Sequence, residues 1–156
     1  MGEGMQIKEL PPQPVLSIRD MVKVEMLGDF FGISFSKLFP YMAAMGEAPI
    51  GPPFALYHSE PTAEGFDVEV CVPTPVVLNA TDDIASYELA GGKFLSAFHM
   101  GAYEGFTATY QQMMEWMAEN GYKMAGPSRE VYVVGVGQVE DPAEYITEIL
   151  FPVESA

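Results

Sequence analysis

Gly51-Pro52-Pro53-Phe54-Ala55-Leu56-Tyr57 returns later in the chain as Gly126-Pro127-Ser128-Arg129-Glu130-Val131-Tyr132. Phe66-Asp67-Val68-Glu69-Val70-Cys71-Val72-Pro73 likewise returns as Tyr145-Ile146-Thr147-Glu148-Ile149-Leu150-Phe151-Pro152. A repeat of this length implies two copies of one supersecondary unit. Two copies facing each other are expected to leave a groove between them, the kind of concavity that takes ligands.

Working outward, alternating apolar residues predict a strand at 15–19 and its counterpart at 94–98. Phe31, Phe35, Leu38 and Met42 then step at helical spacing, as do Phe106, Tyr110, Met113 and Met117. Each helix stops at a glycine, Gly46 or Gly121, suited to a C-terminal cap. Strands at 54–58 and 66–72 close the first unit, and strands at 129–134 and 145–151 close the second. The connectors, 59–65 and 135–143, are turn-like in composition, and a further strand is expected near 85–89. The expected fold is α+β: a single domain over 1–156 made of two pseudo-symmetric strand-helix-strand-strand units, about 5–78 and about 85–155. An antiparallel sheet carries the helices on one face and a ligand groove on the other.

Strand parity sorts side chains between the faces. Phe66, Val68, Val70 and Val72 form an apolar row to pack under the helices, together with Leu16, Ile18, Leu95 and Ala97. The uncovered face is expected to hold Tyr57, Glu69, Phe98, Glu130, Tyr132 and Glu148, aromatics among carboxylates.

Composition bounds the chemistry. The net charge of −15 repels phosphate backbones, so direct nucleic-acid binding is not expected. The charge favours cationic ligands or a basic protein surface. No apolar run is long enough to span a membrane, and the start of the chain lacks the blocks of a signal peptide. One cysteine, Cys71, permits no intrachain disulfide, in keeping with a cytoplasmic setting. Two histidines and one cysteine, far apart, offer no metal-ligand spacing, and no cofactor motif is present.

The chain resembles the GyrI-like small-molecule-binding domain, a tandem SHS2 repeat that serves AraC- and MerR-type regulators as effector-binding domain. His99-Met100-Gly101-Ala102-Tyr103, Trp116-Met117, Gly126-Pro127 ahead of Arg129-Glu130-Val131-Tyr132, and Thr147-Glu148-Ile149 with Pro152 carry the likeness. The resemblance implies a groove on the helix-free face, at the junction of the halves, for amphipathic or cationic compounds, with the glutamate of the Glu-x-Tyr motif at Glu130. About a dozen residues precede the first strand, too few for a DNA-binding helix-turn-helix, so a self-sufficient transcription factor is not expected.

Glu130 leads the site residues because its repeat mate is Ala55: a carboxylate present in only one copy is not explained by shared architecture. Tyr132 and Tyr57 are equivalent aromatics suited to cation–π contact. Phe98, Glu148 and Trp116 complete the ligand-binding set; Trp116 serves equally well as core, and Glu69 and Glu148 read more readily as solvated strand residues on the open face. His99 reads as a helix-start residue, and His58 shows no partner. The leading expectation is a stand-alone binder of small lipophilic, cationic molecules related to multidrug-responsive regulators. One alternative is a hydrolase of strained cyclopropane electrophiles using Glu130 and Tyr132. Another is an interaction protein acting on DNA gyrase or on a separate regulator.

Overall fold

The structure, a computed structural model, describes residues 4–60, 62–135 and 138–156. Both expected hairpin connectors extend in part outside the described residues, at Pro61 and at Val136 and Gly137. The elements run β1 (Gln6–Leu10), β2 (Gln13–Val22), α1 (Leu27–Ala44), β3 (Phe54–Tyr57), β4 (Phe66–Pro73), β5 (Ala85–Leu89), β6 (Gly92–Met100), α2 (Phe106–Glu119), β7 (Tyr122–Met124), β8 (Ser128–Val134) and β9 (Ile146–Ser155). The architecture is α+β, and the chain forms two compact units.

The Pro11–Gly91 unit is an antiparallel sheet in the order β3-β4-β2-β5 with α1 on one face. Leu16, Val70 and Val72 from the strands meet Leu38 and Met42 from α1, joined by Ile84. Alternation in β2 and β4 puts these apolar side chains on one face, and burying them is the main favourable term in the unit's stability. The second unit combines β1 with Gly92–Ala156. Its sheet runs β1-β6-β9-β8, with β7 also on β9. Leu95, Ala97, Ile149, Phe151 and Val153 pack against Met113 and Met117 of α2. Both helices end where foreseen: Gly46 and Gly121 each have φ of 76°, the left-handed conformation a glycine cap supplies.

The registers of the two sheets superpose. Ser17 lies opposite Cys71 and Ala55 opposite Val70; in the second unit Ser96 lies opposite Leu150 and Glu130 opposite Ile149. The edge strands are equivalent too, Ala85 beside Ser17 and Gln6 beside Ser96. These edges are traded relative to the sequence reading. The strand at 85–89 flanks β2 of the first repeat, and β1, which the repeat had not revealed, flanks β6 of the second. Pro11-Pro12 separates β1 from β2. Proline is locked at negative φ, so this pair cannot form the tight hairpin turn that would fold β1 back on β2.

Candidate functional site

In the second unit, β8 sets Glu130 opposite Ile149 and Tyr132 opposite Thr147. Ile149 is wholly buried against α2, so Glu130 and Tyr132 stand on the helix-covered face. Tyr57, opposite Val68 on β4, is on the helix-covered side of its own sheet. The expectation that these three share the uncovered face is thereby corrected, while Glu69, Phe98 and Glu148 do occupy it. Alternation shows which residues of one strand share a face; which face they share follows from the register with the next strand, set by the connecting turn.

Glu130 is 6% exposed. The Tyr110 hydroxyl, rising from α2, donates to one carboxylate oxygen, and the Tyr132 hydroxyl donates to the other at 3.0 Å. Tyr110 stacks on Phe151 with ring centres 5.5 Å apart, which fixes its hydroxyl over β8. Tyr103, in the short 3-10 turn ahead of α2, sets its ring 6.0 Å from that of Tyr132. Taking a carboxylate out of water is costly, and these hydroxyls offset part of the cost. A negative group bordered by aromatic rings is an arrangement that attracts organic cations.

The other predicted residues are dispersed. Glu148 and Phe98 face each other across β6 and β9 on the helix-free side. Glu148 accepts from Lys8 Nζ and Ser96 Oγ, each at 2.6 Å, and the same ammonium lies 5.4 Å from the centre of the Phe98 ring. Trp116 stacks on Tyr122 at 5.9 Å and packs against the α2 core. Tyr57 stacks on Phe66 at 5.6 Å. His99 is structural, its ring nitrogens bonded to Thr109 Oγ1 and the Ala102 carbonyl.

The Pro11–Gly91 unit contains a group that strand patterning had not assembled. Glu69, 3% exposed, accepts from the Tyr87 hydroxyl at 2.6 Å and pairs with His58 Nε2 at 2.8 Å. His58 thus has a partner, contrary to expectation. Burial pushes the Glu69 pKa up, but the neighbouring Ser17 hydroxyl, Tyr87 and His58 act the other way and prevail, holding the carboxyl below its usual range. Burial, then the bond to Glu69, raises the Tyr87 phenol, so it stays a neutral donor. Arg19 lies nearby, bonded twice by Asp67 at 2.9 and 2.7 Å; this pairing keeps Asp67 below its usual range. A cavity of about 570 Å³ opens here, lined by Ser17, Arg19, His58, Glu69, Asp82 and Tyr87 among others. A signal for Tyr87 was present: Lys8-Glu9-Leu10 and Tyr87-Glu88-Leu89 are the continuation of the repeat.

Among the described residues, no group of three His, Cys, Asp or Glu side chains is placed to hold a metal, and no helix is long and apolar enough to cross a membrane.

The chain matches the family model of the GyrI-like small molecule binding domain over residues 4–154. Among solved structures it is similar to the C-terminal domain of EcmrR, at 25% identity and a TM-score of 0.81, covering 97% of this chain and 98% of that one. Against EcmrR in its DNA complex the identity is 26% and the TM-score 0.82; the match covers 97% of this chain and spans 57% of the EcmrR chain. A hydrolase from Listeria innocua shares the fold at 14% identity, with a TM-score of 0.75 over 96% of this chain and 91% of that one. SAV2435 bound to tetraphenylphosphonium shares it at 15% identity, with a TM-score of 0.66 over 96% and 93%. No curated protein sequence matches the chain.

Proposed function

The chain belongs to the GyrI-like small-molecule-binding family, and on that premise we propose that it binds lipophilic organic cations through Glu130 and the tyrosines around it. The observation that carries this reading is a carboxylate 6% exposed whose oxygens meet the hydroxyls of Tyr110 and Tyr132, with the Tyr103 ring alongside Tyr132. A cation brought to this group recovers Coulomb attraction that water no longer screens, and ring faces add cation–π attraction. Aromatic surface supplies the apolar part of the affinity without demanding one ligand shape. Family membership and the likeness to the C-terminal domain of EcmrR support an effector-sensing role, in which occupancy is read out by a DNA-binding partner.

Calorimetric titration with crystal violet, a lipophilic cationic dye, tests the reading. Glu130→Gln keeps the size of the side chain and removes its charge. The substitution is expected to weaken dye binding about tenfold or more, equivalent to about 1.4 kcal/mol, while thermal unfolding stays cooperative. Equal affinity in the two proteins removes Glu130 from the ligand site.

A further inference from the structure

The geometry points to a second ligand site, independent of the first: the cavity of the Pro11–Gly91 unit takes the primary ammonium group of a small, hydrophilic amine. The repeat places two equivalent glutamates in one molecule. Glu148 and Glu69 occupy equivalent positions, each on the helix-free face and each beside an equivalent serine, Ser96 or Ser17. In the second unit the edge strand contributes Lys8, whose ammonium lies 2.6 Å from Glu148, so that slot carries its own cation. In the Pro11–Gly91 unit the same edge position holds Tyr87, which donates a hydrogen bond but brings no charge. The slot without a lysine is also the slot beside which the cavity opens.

What surrounds Glu69 suits an N–H donor. His58 and Tyr87 each take one carboxylate oxygen and hold the group in place, and each oxygen keeps a further lone pair. Ser17 Oγ, 1% exposed, lies against the Glu69 carboxylate and favours its charged form, yet it makes no close hydrogen bond there and accepts none among the described residues. A buried hydroxyl in that condition is unusual, and an ammonium N–H in the cavity gives it a partner. The Arg19 guanidinium is matched by Asp67. Asp82 also lines the cavity and adds negative charge, as does Asp83, which pairs with Lys37 at 3.6 Å. A primary ammonium can donate to Glu69 and to Ser17 together; a quaternary ammonium can donate to neither.

The test follows backbone amide signals by NMR as n-butylamine, 1,4-diaminobutane and tetramethylammonium are added at about 0.15 M salt, which suppresses general attraction to an acidic surface. The primary amines are expected to shift Ser17, Glu69 and Tyr87 saturably, with tetramethylammonium weaker. Glu69→Gln is expected to lower amine affinity at least about tenfold while crystal violet binding is kept, which separates this site from the Glu130 site. Tyr87→Lys restores to the chain the ammonium that the other repeat carries and is expected to abolish amine binding in a folded protein. Three results overturn the proposal: no saturable shift up to about 10 mM amine, equal amine affinity in Glu69→Gln, or amine binding retained by Tyr87→Lys.

Discussion

Lys8 and Tyr87 differ by one charge at one repeated position, and that difference gives the buried Glu69 and the part-buried Glu148 different characters. Glu148 is closed by an ion pair, whereas Glu69 is held by a phenol and an imidazole beside a cavity. The consequence for stability has a definite sign. The folded pKa of Glu69 lies below its ordinary value, so the group favours the folded state above the pKa it has when unfolded, about 4.3. That contribution is lost as pH falls through the folded pKa. Asp67, lowered by its bonds to Arg19, acts in the same direction but is more exposed to solvent, and its part is smaller. Denaturant unfolding measured between pH 6 and pH 3 is therefore expected to show a steeper loss of stability in the natural protein than in Glu69→Gln, with the two curves converging in acid. Parallel curves contradict the role given to Glu69. The asymmetry of Glu130 against Ala55 was legible from residues alone. The partnership of His58 with Glu69 was not, because it joins the residue just past β3 to the middle of β4 through a connector whose geometry the sequence does not state.

At the scale of elements, the strands and helices followed from period and punctuation. The apolar rows of β2, β4 and β6 pack where alternation placed them, and both helices stop at their glycines. Two strands escaped notice. β7 is three residues long, too short for a period to establish itself, and β1 carries its apolar residues at Ile7 and Leu10, which do not alternate. Register was the other loss, and it moved Tyr57, Glu130 and Tyr132 to the opposite face. The β3–β4 turn depends on one backbone position. Gly65 has φ of 112°, and a Cβ there would come within 2.3 Å of the Val22 carbonyl oxygen. Gly65→Ala must move backbone as well as adopt a conformation that L-residues avoid, so it is expected to destabilise the protein by about 1–3 kcal/mol in urea unfolding. The equivalent measurement on Gly28→Ala, where a Cβ would meet nothing within 4 Å, provides the contrast: little loss, or a gain from helix propensity.

For the whole molecule, duplication followed by divergence accounts for the arrangement. Equivalent registers give each unit a place for a glutamate and a serine on the helix-free face, and sequence change has then assigned each place its own chemistry. Glu130 appears on the other face of one copy only, bonded to the hydroxyls of Tyr110 and Tyr132, where its repeat mate is the fully buried Ala55. The composition supports this division. With 22 acidic residues against 7 basic ones, the surroundings attract cations before any specific contact forms. The central claim is that Glu130 and its tyrosines receive a lipophilic cation, and the most direct measurement is NMR of the protein with its tyrosine rings carbon-13 labelled, titrated with tetraphenylphosphonium. The account predicts saturable shifts in the ring signals of Tyr103, Tyr110 and Tyr132 that vanish in Glu130→Gln. Binding that leaves those three rings unmoved while others shift would contradict it.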